Sequence, residues 1–286
     1  MSQAQKTERF TVRQEDDGQR LDKVIRQAYP DWGRSAVGSL IQNRQVRVNG
    51  QSVWLNSWKV HSGDQIEISG PPEEKPQAPE RFDPAWLLAD EGDLLAVCKP
   101  AGLLSQPTRA GGSDDLLSLA QAAYGQDLRL FHRLDRDTSG VCLLTRPGEV
   151  NAYLDAAFKQ REVVKEYFAL IAGRGQLAES GQLRSYLDRH DRRPDMIQTV
   201  EKGGQFAYTE YWIEAETADG LLVRLFPHTG RTHQLRVQLA EQGAPVIGDA
   251  LYGGKPAERL MLHAGRIALP EMMGHPRREW ACPVPF

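Results

Sequence analysis

A proline-rich stretch limits how this 286-residue chain can fold. Residues 70–84 hold five prolines, few apolar residues and several charges. Proline lacks a backbone N–H and has a fixed φ, so the stretch cannot continue a helix or a central strand and should run extended as a semi-rigid spacer. We therefore predict a small domain over residues 1–69, a linker over 70–84 and a larger domain over 85–286. The chain length also suggests about two domains.

The charge of the chain is distributed unevenly. The whole chain has a net charge of −3, whereas the segment Gly18–Val60 holds seven Lys and Arg side chains and two acidic ones. The rest of the chain is therefore acidic. A basic module attached to an acidic body suggests a surface that attracts phosphates. A basic, solvated face without a ligand fits the charge equally well.

The basic module has the pattern of two short helices followed by a small sheet. Apolar residues recur at helical spacing over 20–28 and 35–42. Alternating residues then flank Asn49-Gly50, a dipeptide that tolerates the positive φ angles of a tight hairpin turn. Residues 65–68 alternate again and predict a further strand.

This order of elements resembles the small RNA-binding module of ribosomal small-subunit protein four. The stretches that carry the resemblance are GRSAVGSLIQNRQVRVNG and SGDQIEI, within about residues 18–69. In that family the second helix and the hairpin face structured RNA. The resemblance therefore implies Arg34, Arg44 and Arg47 as RNA-binding residues. A degenerate module that is kept for protein contacts is the alternative.

The larger domain reads mostly as strands with a few helices that do not alternate regularly. We expect an α+β fold with a mixed, mainly antiparallel sheet and flanking helices, joined to the small N-terminal α+β module. The predicted helices are 116–124, 150–159 and 232–240. The predicted strands are 86–89, 94–99, 141–144, 167–172, 206–212 and 221–226.

Several common chemistries lack their sequence signatures. The chain has no glycine-rich nucleotide-binding motif, no His-Glu-x-x-His and no Gly-x-Ser-x-Gly, so we expect no cofactor and no metal. Cys98, Cys142 and Cys282 are too scattered to predict a disulfide framework or a zinc site. Apolar runs are too short for a membrane span and no signal peptide is evident. A cytoplasmic monomer without membrane contacts is the expectation.

Two polar motifs remain as candidates for chemistry. The first, FHRLDRDTSG, spans residues 131–140 and precedes an apolar strand. A charged loop on a rigid scaffold often carries function, but its Asp135 could equally be the hydrogen-bonding residue of a turn. The second, HTGRTHQLR, spans residues 228–236 and places Arg231 at the entrance of a helix. There Arg231 could bind a phosphate or a carboxylate, or form a structural ion pair.

Together the two motifs resemble the RluA-type pseudouridine synthase family. Further stretches in the family's order are KPAGL, KEYFALIAG, AYTEY and GDALYGG, so that the resemblance covers about residues 86–268. It implies isomerisation of uridines in RNA to pseudouridine, without metal or cofactor. The RNA is expected to be large-subunit ribosomal RNA, with transfer RNA second.

The resemblance also implies roles for individual residues. Asp135 is the nucleophile, attacking either the uracil ring or the ribose, and Arg231 is the cation that keeps it ionised, with Arg236 as the substitute. Tyr167 stacks on the flipped uracil. Arg133 fills the gap left by the extruded base, and His132 contacts the RNA backbone.

Two departures from the family pattern stand near these motifs. Gln238 replaces a common histidine, and Ser105 begins a Ser-Gln-Pro in place of the usual His-Pro version. We expect both to affect substrate fit rather than chemistry. A non-enzymatic RNA-binding or ribosome-assembly protein is the competing class, and its signature would be loss of Asp135, Tyr167 or Arg231. A hydrolase is disfavoured because no second carboxylate motif pairs with Asp135.

Overall fold

The computed structural model describes residues 7–42, 44–55, 57–70, 79–107, 115–191 and 193–286. The chain divides into two compact units, Met1–Gln77 and Ala78–Phe286. Most of the predicted linker, residues 71–78, lies outside the described residues. In its described part, the Phe82 ring packs edge-on against Trp86 and Tyr124 in a core of the larger unit.

The small unit is a four-stranded antiparallel sheet with two helices; the two helices, the hairpin and the last strand were predicted, whereas the first strand, which precedes the helices, was not. Its sheet has the order β1-β4-β2-β3. Leu21 and Ile25 of the first helix, one turn apart, are fully buried against the sheet. The elements are β1 (Thr7–Thr11), α1 (Leu21–Ala28), α2 (Arg34–Gln42), β2 (Val46–Val48), β3 (Gln51–Val53) and β4 (Gln65–Ser69).

The predicted hairpin turn between β2 and β3 is confirmed. Asn49 and Gly50 both have positive φ, 50° and 77°, which is the backbone that the turn requires. The Asn49 side chain also fixes the neighbouring strand, because its Oδ1 accepts the Gln65 N–H at 2.8 Å and its amide donates to Asp64 at 2.8 Å.

The larger unit contains three helices and eleven strands among its described residues. The predicted helix 116–124 and strand 94–99 have the predicted bounds, whereas no strand was predicted over 180–199 or 262–281. The elements are β5 (Leu87–Asp90), β6 (Leu94–Lys99), α3 (Leu116–Tyr124), β7 (Arg129–Leu130), β8 (Ser139–Thr145), α4 (Glu149–Gln160), β9 (Val164–Ile171), β10 (Ser180–His190), β11 (Arg193–Thr199), β12 (Gln205–Glu216), β13 (Leu221–Pro227), α5 (Gln234–Glu241), β14 (Leu262–Leu269) and β15 (Arg278–Ala281).

These strands form one sheet with the order β11-β10-β12-β13-β9-β14-β8-β6-β5. Two short strands lie off this path, where β15 pairs with β14 and β7 pairs with β8. Only β14 and β8 pair in parallel among the described strands. The predicted α+β fold with a mixed, mainly antiparallel sheet is thus confirmed.

The central strand β14 brings the first motif close to β9. Ala264 lies opposite Gly140 of β8 on one side and opposite Tyr167 of β9 on the other. Gly140 has a φ of +120°, and a Cβ there would meet the Ala264 carbonyl oxygen at 2.1 Å. The last residue of the motif must therefore be glycine, since a side chain would separate β8 from β14.

The helices cover different parts of the sheet. α4 packs on Val141 and Ile267, and α3 packs on Leu95 and Leu144 in separate buried clusters. α5 contributes Leu235 and Leu239 to a third cluster. None of the helices in the described part of the chain is long and apolar enough to cross a membrane.

The cysteines differ from the sequence expectation in one respect. Cys98 of β6 and Cys282, which follows β15, form a disulfide with a Cα–Cα distance of 6.0 Å. They are separated by 184 residues, so sequence spacing gave no sign that β14 and β15 bring them together. Cys142 is free and buried, and burial raises the pKa of its thiol to about 12.

Candidate active site

The loop between β7 and β8 carries Asp135 and is held at both neighbouring residues. The fully buried Lys99 ammonium donates to three carbonyl oxygens, those of Pro100 at 2.9 Å, Leu103 at 2.7 Å and Arg136 at 2.9 Å. It therefore ties the residue after Asp135 to the loop that follows β6. Burial lowers the pKa of Lys99 to about 8, although the charges of Asp137 and Asp135 oppose this shift.

Ser105 holds the residue on the other side of Asp135. Its buried hydroxyl donates to the Leu134 carbonyl at 2.8 Å and accepts the Leu134 N–H at 3.1 Å. Both polar groups of this buried backbone unit are satisfied by one side chain. Ser105, the first residue of the unusual Ser-Gln-Pro, thus supports the backbone of the motif, whereas the sequence suggested an effect on substrate fit.

The second motif places Arg236 in the interior. Arg236 forms a bidentate ion pair with Asp249, with both N–O distances at 2.7 Å and both side chains buried. Its guanidinium carbon also lies 5.1 Å from the centre of the Tyr252 ring. Asp249 accepts further hydrogen bonds from the N–H groups of Leu251 and Tyr252. This network fixes the orientation of the guanidinium.

The Asp135 carboxylate interacts electrostatically with groups from both motifs and from β9. Burial lowers the pKa of Arg236, but the hydrogen bonds and charge of Asp249, together with the charge of Asp135, outweigh burial and raise it. Burial raises the pKa of the Tyr167 phenol, and the Asp135 carboxylate raises it further. The half-buried Asp135 therefore lies near a fixed cation and a neutral phenol.

His233 also interacts electrostatically with Asp135 and Arg236. It has a φ of 53° and immediately precedes α5, which starts at Gln234 rather than at the predicted residue 232. Its Nδ1 lies 2.8 Å from the Tyr252 hydroxyl, which accepts the Ile197 N–H at 2.9 Å. Burial lowers the pKa of His233 despite the charge of Asp135, which favours the neutral imidazole.

Arg231 lies elsewhere in the second motif. Its Nε donates to the Phe206 carbonyl at 3.1 Å, and its backbone N–H donates to the Gln234 side chain at 3.1 Å. No contact between Arg231 and Asp135 occurs among the described interactions. Within the second motif, the arginine that interacts electrostatically with Asp135 in the structure is Arg236.

His132 is bonded within the protein. Its Nε2 accepts the Leu143 N–H at 3.1 Å, and its ring stacks on Phe158. Burial lowers the pKa of His132 to about 4, and the charge of Lys165 adds to this effect. A neutral ring whose Nε2 is occupied supports a structural role for His132, rather than the predicted contact with the RNA backbone.

The roles of Arg133 and Tyr167 stay predictions, and the structure gives the burial of the two side chains. Arg133 is exposed and makes no hydrogen bond or ion pair with the described residues. Tyr167 is half-buried on β9 beside Asp135. Sequence reasoning missed Lys99, Asp249 and Tyr252 as parts of this site. These three residues stand in KPAGL and GDALYGG, stretches that carry the family resemblance but for which the sequence analysis predicts no site residue.

Gln238 also supports the scaffold from inside. Its amide oxygen accepts the Thr209 hydroxyl at 2.7 Å, and its amide nitrogen donates to the Leu183 carbonyl at 3.2 Å and the Ser185 hydroxyl at 3.1 Å. A fully buried side chain that joins α5 to β10 and β12 serves packing rather than substrate fit.

In the described part of the chain, no group of three or more His, Cys, Asp and Glu side chains could hold a metal ion.

The predicted RNA-binding residues of the small unit lie on α2 and the hairpin. Arg34 begins α2, but its side chain lies outside the described residues. Arg44 and Arg47 are exposed. The Arg44 guanidinium carbon lies 5.5 Å from the centre of the Trp54 ring.

Comparisons with known proteins identify the family of this chain. Residues 93–241, just over half of the chain, match the family described as RNA pseudouridylate synthase, and residues 19–66 match the S4 domain. The chain therefore belongs to the RluA-type RNA pseudouridylate synthases, which are isomerases, and carries an N-terminal S4 domain.

Two curated relatives show how far the similarity extends. The ribosomal large subunit pseudouridine synthase C of Rickettsia felis is 32% identical over 276 residues, covering 88% of each chain. The ribosomal large subunit pseudouridine synthase D of Haemophilus ducreyi is 32% identical over 245 residues, covering 84% of this chain and 74% of the relative. Both alignments extend over more than four fifths of this chain.

Solved structures of human proteins share the fold. Human RNA pseudouridylate synthase domain containing 1 is 26% identical, with a TM-score of 0.59 over 70% of this chain and 83% of that chain. Human RNA pseudouridylate synthase domain containing 4 is also 26% identical, with a TM-score of 0.56 over 70% of this chain and 89% of that chain.

Proposed function

We propose that this pseudouridine synthase modifies uridines of large-subunit ribosomal RNA and uses Asp135 as its nucleophile. The observation that carries the assignment is the loop around Asp135, whose flanking residues are held by Ser105 and Lys99. The relatives named as ribosomal large subunit synthases support the choice of RNA. Transfer RNA is the second candidate, and ribosomal RNA as substrate implies a cytoplasmic protein.

The reaction breaks the bond between the ribose and N1 of uracil, turns the base and joins the ribose to C5. A proton leaves C5 and a proton is returned to N1, so that no electrons are gained or lost. An ionised Asp135 forms and then releases a covalent bond, either to the ribose or to the uracil ring. Arg236, whose guanidinium is fixed by Asp249, stabilises the charge of Asp135 in a pocket partly stripped of water.

Tyr167 and Arg133 bind the target nucleotide in this proposal. The phenol of Tyr167 stays protonated, because burial and Asp135 both raise its pKa, and its ring offers a stacking face for a flipped uracil. The exposed Arg133, two residues before Asp135, enters the gap that the flipped base leaves in the RNA. The S4 domain adds affinity through its basic surface.

The test is Asp135→Asn, with Asp137→Asn as the matched control. Asp135→Asn keeps size and hydrogen bonding but removes the nucleophile, so pseudouridine formation should vanish while RNA affinity stays within about tenfold. Asp137 pairs with Arg136 at 2.9 Å, and its amide variant should retain activity. Turnover of Asp135→Asn within a factor of about ten of wild type would refute the nucleophile. Mapping pseudouridines in total RNA with and without the protein identifies the substrate.

A further inference from the structure

The S4 domain exposes two tryptophans beside the turn that follows β3. Trp54 is 45% exposed and Trp58 is 37% exposed. The Trp58 N–H donates to the Leu55 carbonyl at 3.0 Å, and the Trp58 carbonyl accepts the Leu21 N–H at 2.7 Å. The backbone around Trp58 is therefore tied to the start of α1. The side chains of both tryptophans nevertheless remain partly exposed to solvent.

Cations share this surface with the tryptophans. The Arg44 guanidinium carbon lies 5.5 Å from the centre of the Trp54 ring, a cation–π geometry. Arg47 is exposed on β2 directly opposite Ser52 of β3, two residues before Trp54. Arg44 and Arg47 thus lie on the hairpin side where Trp54 is exposed.

The composition of this surface selects its occupant. Two tryptophans that are each more than one third exposed leave aromatic surface in water, which is unfavourable for the isolated protein and suggests a binding surface. A protein partner with an apolar patch would not use the excess of positive charge over residues 18–60. An unpaired stretch of RNA would use both the exposed tryptophans and the positive charge, since its bases stack on aromatic rings while its phosphates contact arginines.

We propose that Trp54 and Trp58 are a stacking platform for unpaired bases of the substrate RNA, with Arg44 and Arg47 contacting the adjoining phosphates. The proposal rests on the proposed function, because it extends substrate binding to the S4 domain. It assigns the domain a preference for RNA with single-stranded bases over a fully paired duplex of the same charge.

The test compares Trp54→Leu, Trp58→Leu and Trp54→Phe in the full chain, with Trp212→Leu as the matched control. Trp212 is 40% exposed in the larger unit. The probe is a ribosomal RNA stem–loop, titrated at several salt concentrations. Losing one base stack should weaken binding roughly 5- to 150-fold for either leucine variant, whereas Trp54→Phe should stay close to wild type.

Salt dependence separates stacking from charge. Each leucine variant should keep the wild-type slope of affinity against salt, whereas Arg47→Gln should reduce that slope by about 0.7. Wild-type affinity in both leucine variants, or equal losses for Trp212→Leu, would overturn the proposal. So would equal losses for a blunt RNA duplex, since a duplex offers no unpaired bases.

A catalytic assay keeps this proposal distinct from the proposed function. Trp54→Leu should raise the KM for the RNA stem–loop in proportion to its loss of affinity, whereas Trp212→Leu should convert this RNA as the wild type does. A wild-type protein that binds RNA through Trp54 but forms no pseudouridine in ribosomal RNA would refute the proposed function alone. Normal conversion together with unchanged affinity in both leucine variants would refute the stacking platform alone.

Discussion

Arg236 and Asp249 form a buried pair with two parallel hydrogen bonds of 2.7 Å, and the Asp135 carboxylate acts on the same guanidinium. One cation therefore faces two carboxylates. Asp249 is fully enclosed and fixes the guanidinium, while the Asp135 side chain is half-buried. This arrangement places one enclosed and one partly exposed carboxylate beside the same cation.

Arg236→Met should remove the cation that interacts with the Asp135 carboxylate. We expect activity at neutral pH to fall roughly a hundredfold, because the charged groups of the site lose a fixed stabilising partner. Arg231→Met should keep activity close to that of the wild type, because Arg231 donates to the Phe206 carbonyl. The opposite pattern, with the loss in the Arg231 variant, would return the role to Arg231.

Stability has to be separated from charge in that experiment. Arg236→Met leaves the Asp249 carboxylate buried without a counter-ion, which costs about 3–5 kcal/mol of unfolding free energy. The double variant Arg236→Met with Asp249→Leu removes both charges. It should recover most of the stability without recovering activity, as measured by urea unfolding beside the pseudouridine assay.

Ser105→Ala should lower kcat with little change in KM. The variant leaves the N–H and the carbonyl of Leu134 without their partner, so the backbone next to Asp135 is free to shift, and a misplacement of about 1 Å costs roughly a hundredfold in rate. Ser105→Thr keeps the hydroxyl and should restore turnover. Ser185→Ala, which also removes a buried hydroxyl, is the control. Equal kcat losses in Ser105→Ala and Ser185→Ala would indicate general destabilisation instead.

The buried Lys99 side chain should stabilise the folded protein more in alkaline solution than at neutral pH. Folding lowers its pKa from 10.5 to about 8, so between these values the unfolded chain binds the proton more tightly than the folded chain. The contribution of Lys99 to the free energy of unfolding, measured as the difference between wild type and Lys99→Met, should therefore increase with pH across this window, by about 3 kcal/mol. Lys99→Met lacks this proton and should lack the increase. Parallel pH dependences of unfolding in wild type and variant would contradict a buried Lys99 ammonium.

The disulfide between Cys98 and Cys282 can be tested by counting the free thiols of the denatured protein. In protein purified without reductant and then denatured, an alkylating reagent should label only Cys142, whereas reduction first should expose three thiols. Reduction should also lower the unfolding free energy by about 2–4 kcal/mol, because the closed loop restricts the unfolded chain. Three labelled thiols in the untreated protein would show that the pair is a dithiol.

The two motifs and several elements could be predicted because their signals are local. The residues around Asp135 match the family motif over 131–140. The bounds of α3 and β6 follow from the spacing of apolar residues. The helix α5 was harder, since nearly all of its residues from Gln234 to Leu239 are buried and no polar face marks its orientation. Spacing alone therefore could not decide which arginine of the second motif faces Asp135.

Long-range contacts explain the rest of what the sequence did not reveal. One of the three carbonyl groups that accept hydrogen bonds from Lys99 belongs to Arg136, 37 residues away in sequence. The partner of Arg236, Asp249, lies 13 residues further along the chain, in a stretch whose sequence is typical of a turn. β14 has no alternation to identify it, because seven of its eight residues are buried. Such residues acquire their roles only from the folding of distant segments.

The position of β14 also determines when the site can exist during synthesis. This strand lies between β8 and β9 in space but leaves the ribosome after both, and Ala264 sets the separation between the strand of Tyr167 and the strand that Asp135 precedes. A nascent chain that ends before residue 262 lacks this central strand. We therefore expect activity to appear only after β14 has been synthesised, and a shortened product should expose open sheet edges at β8 and β9.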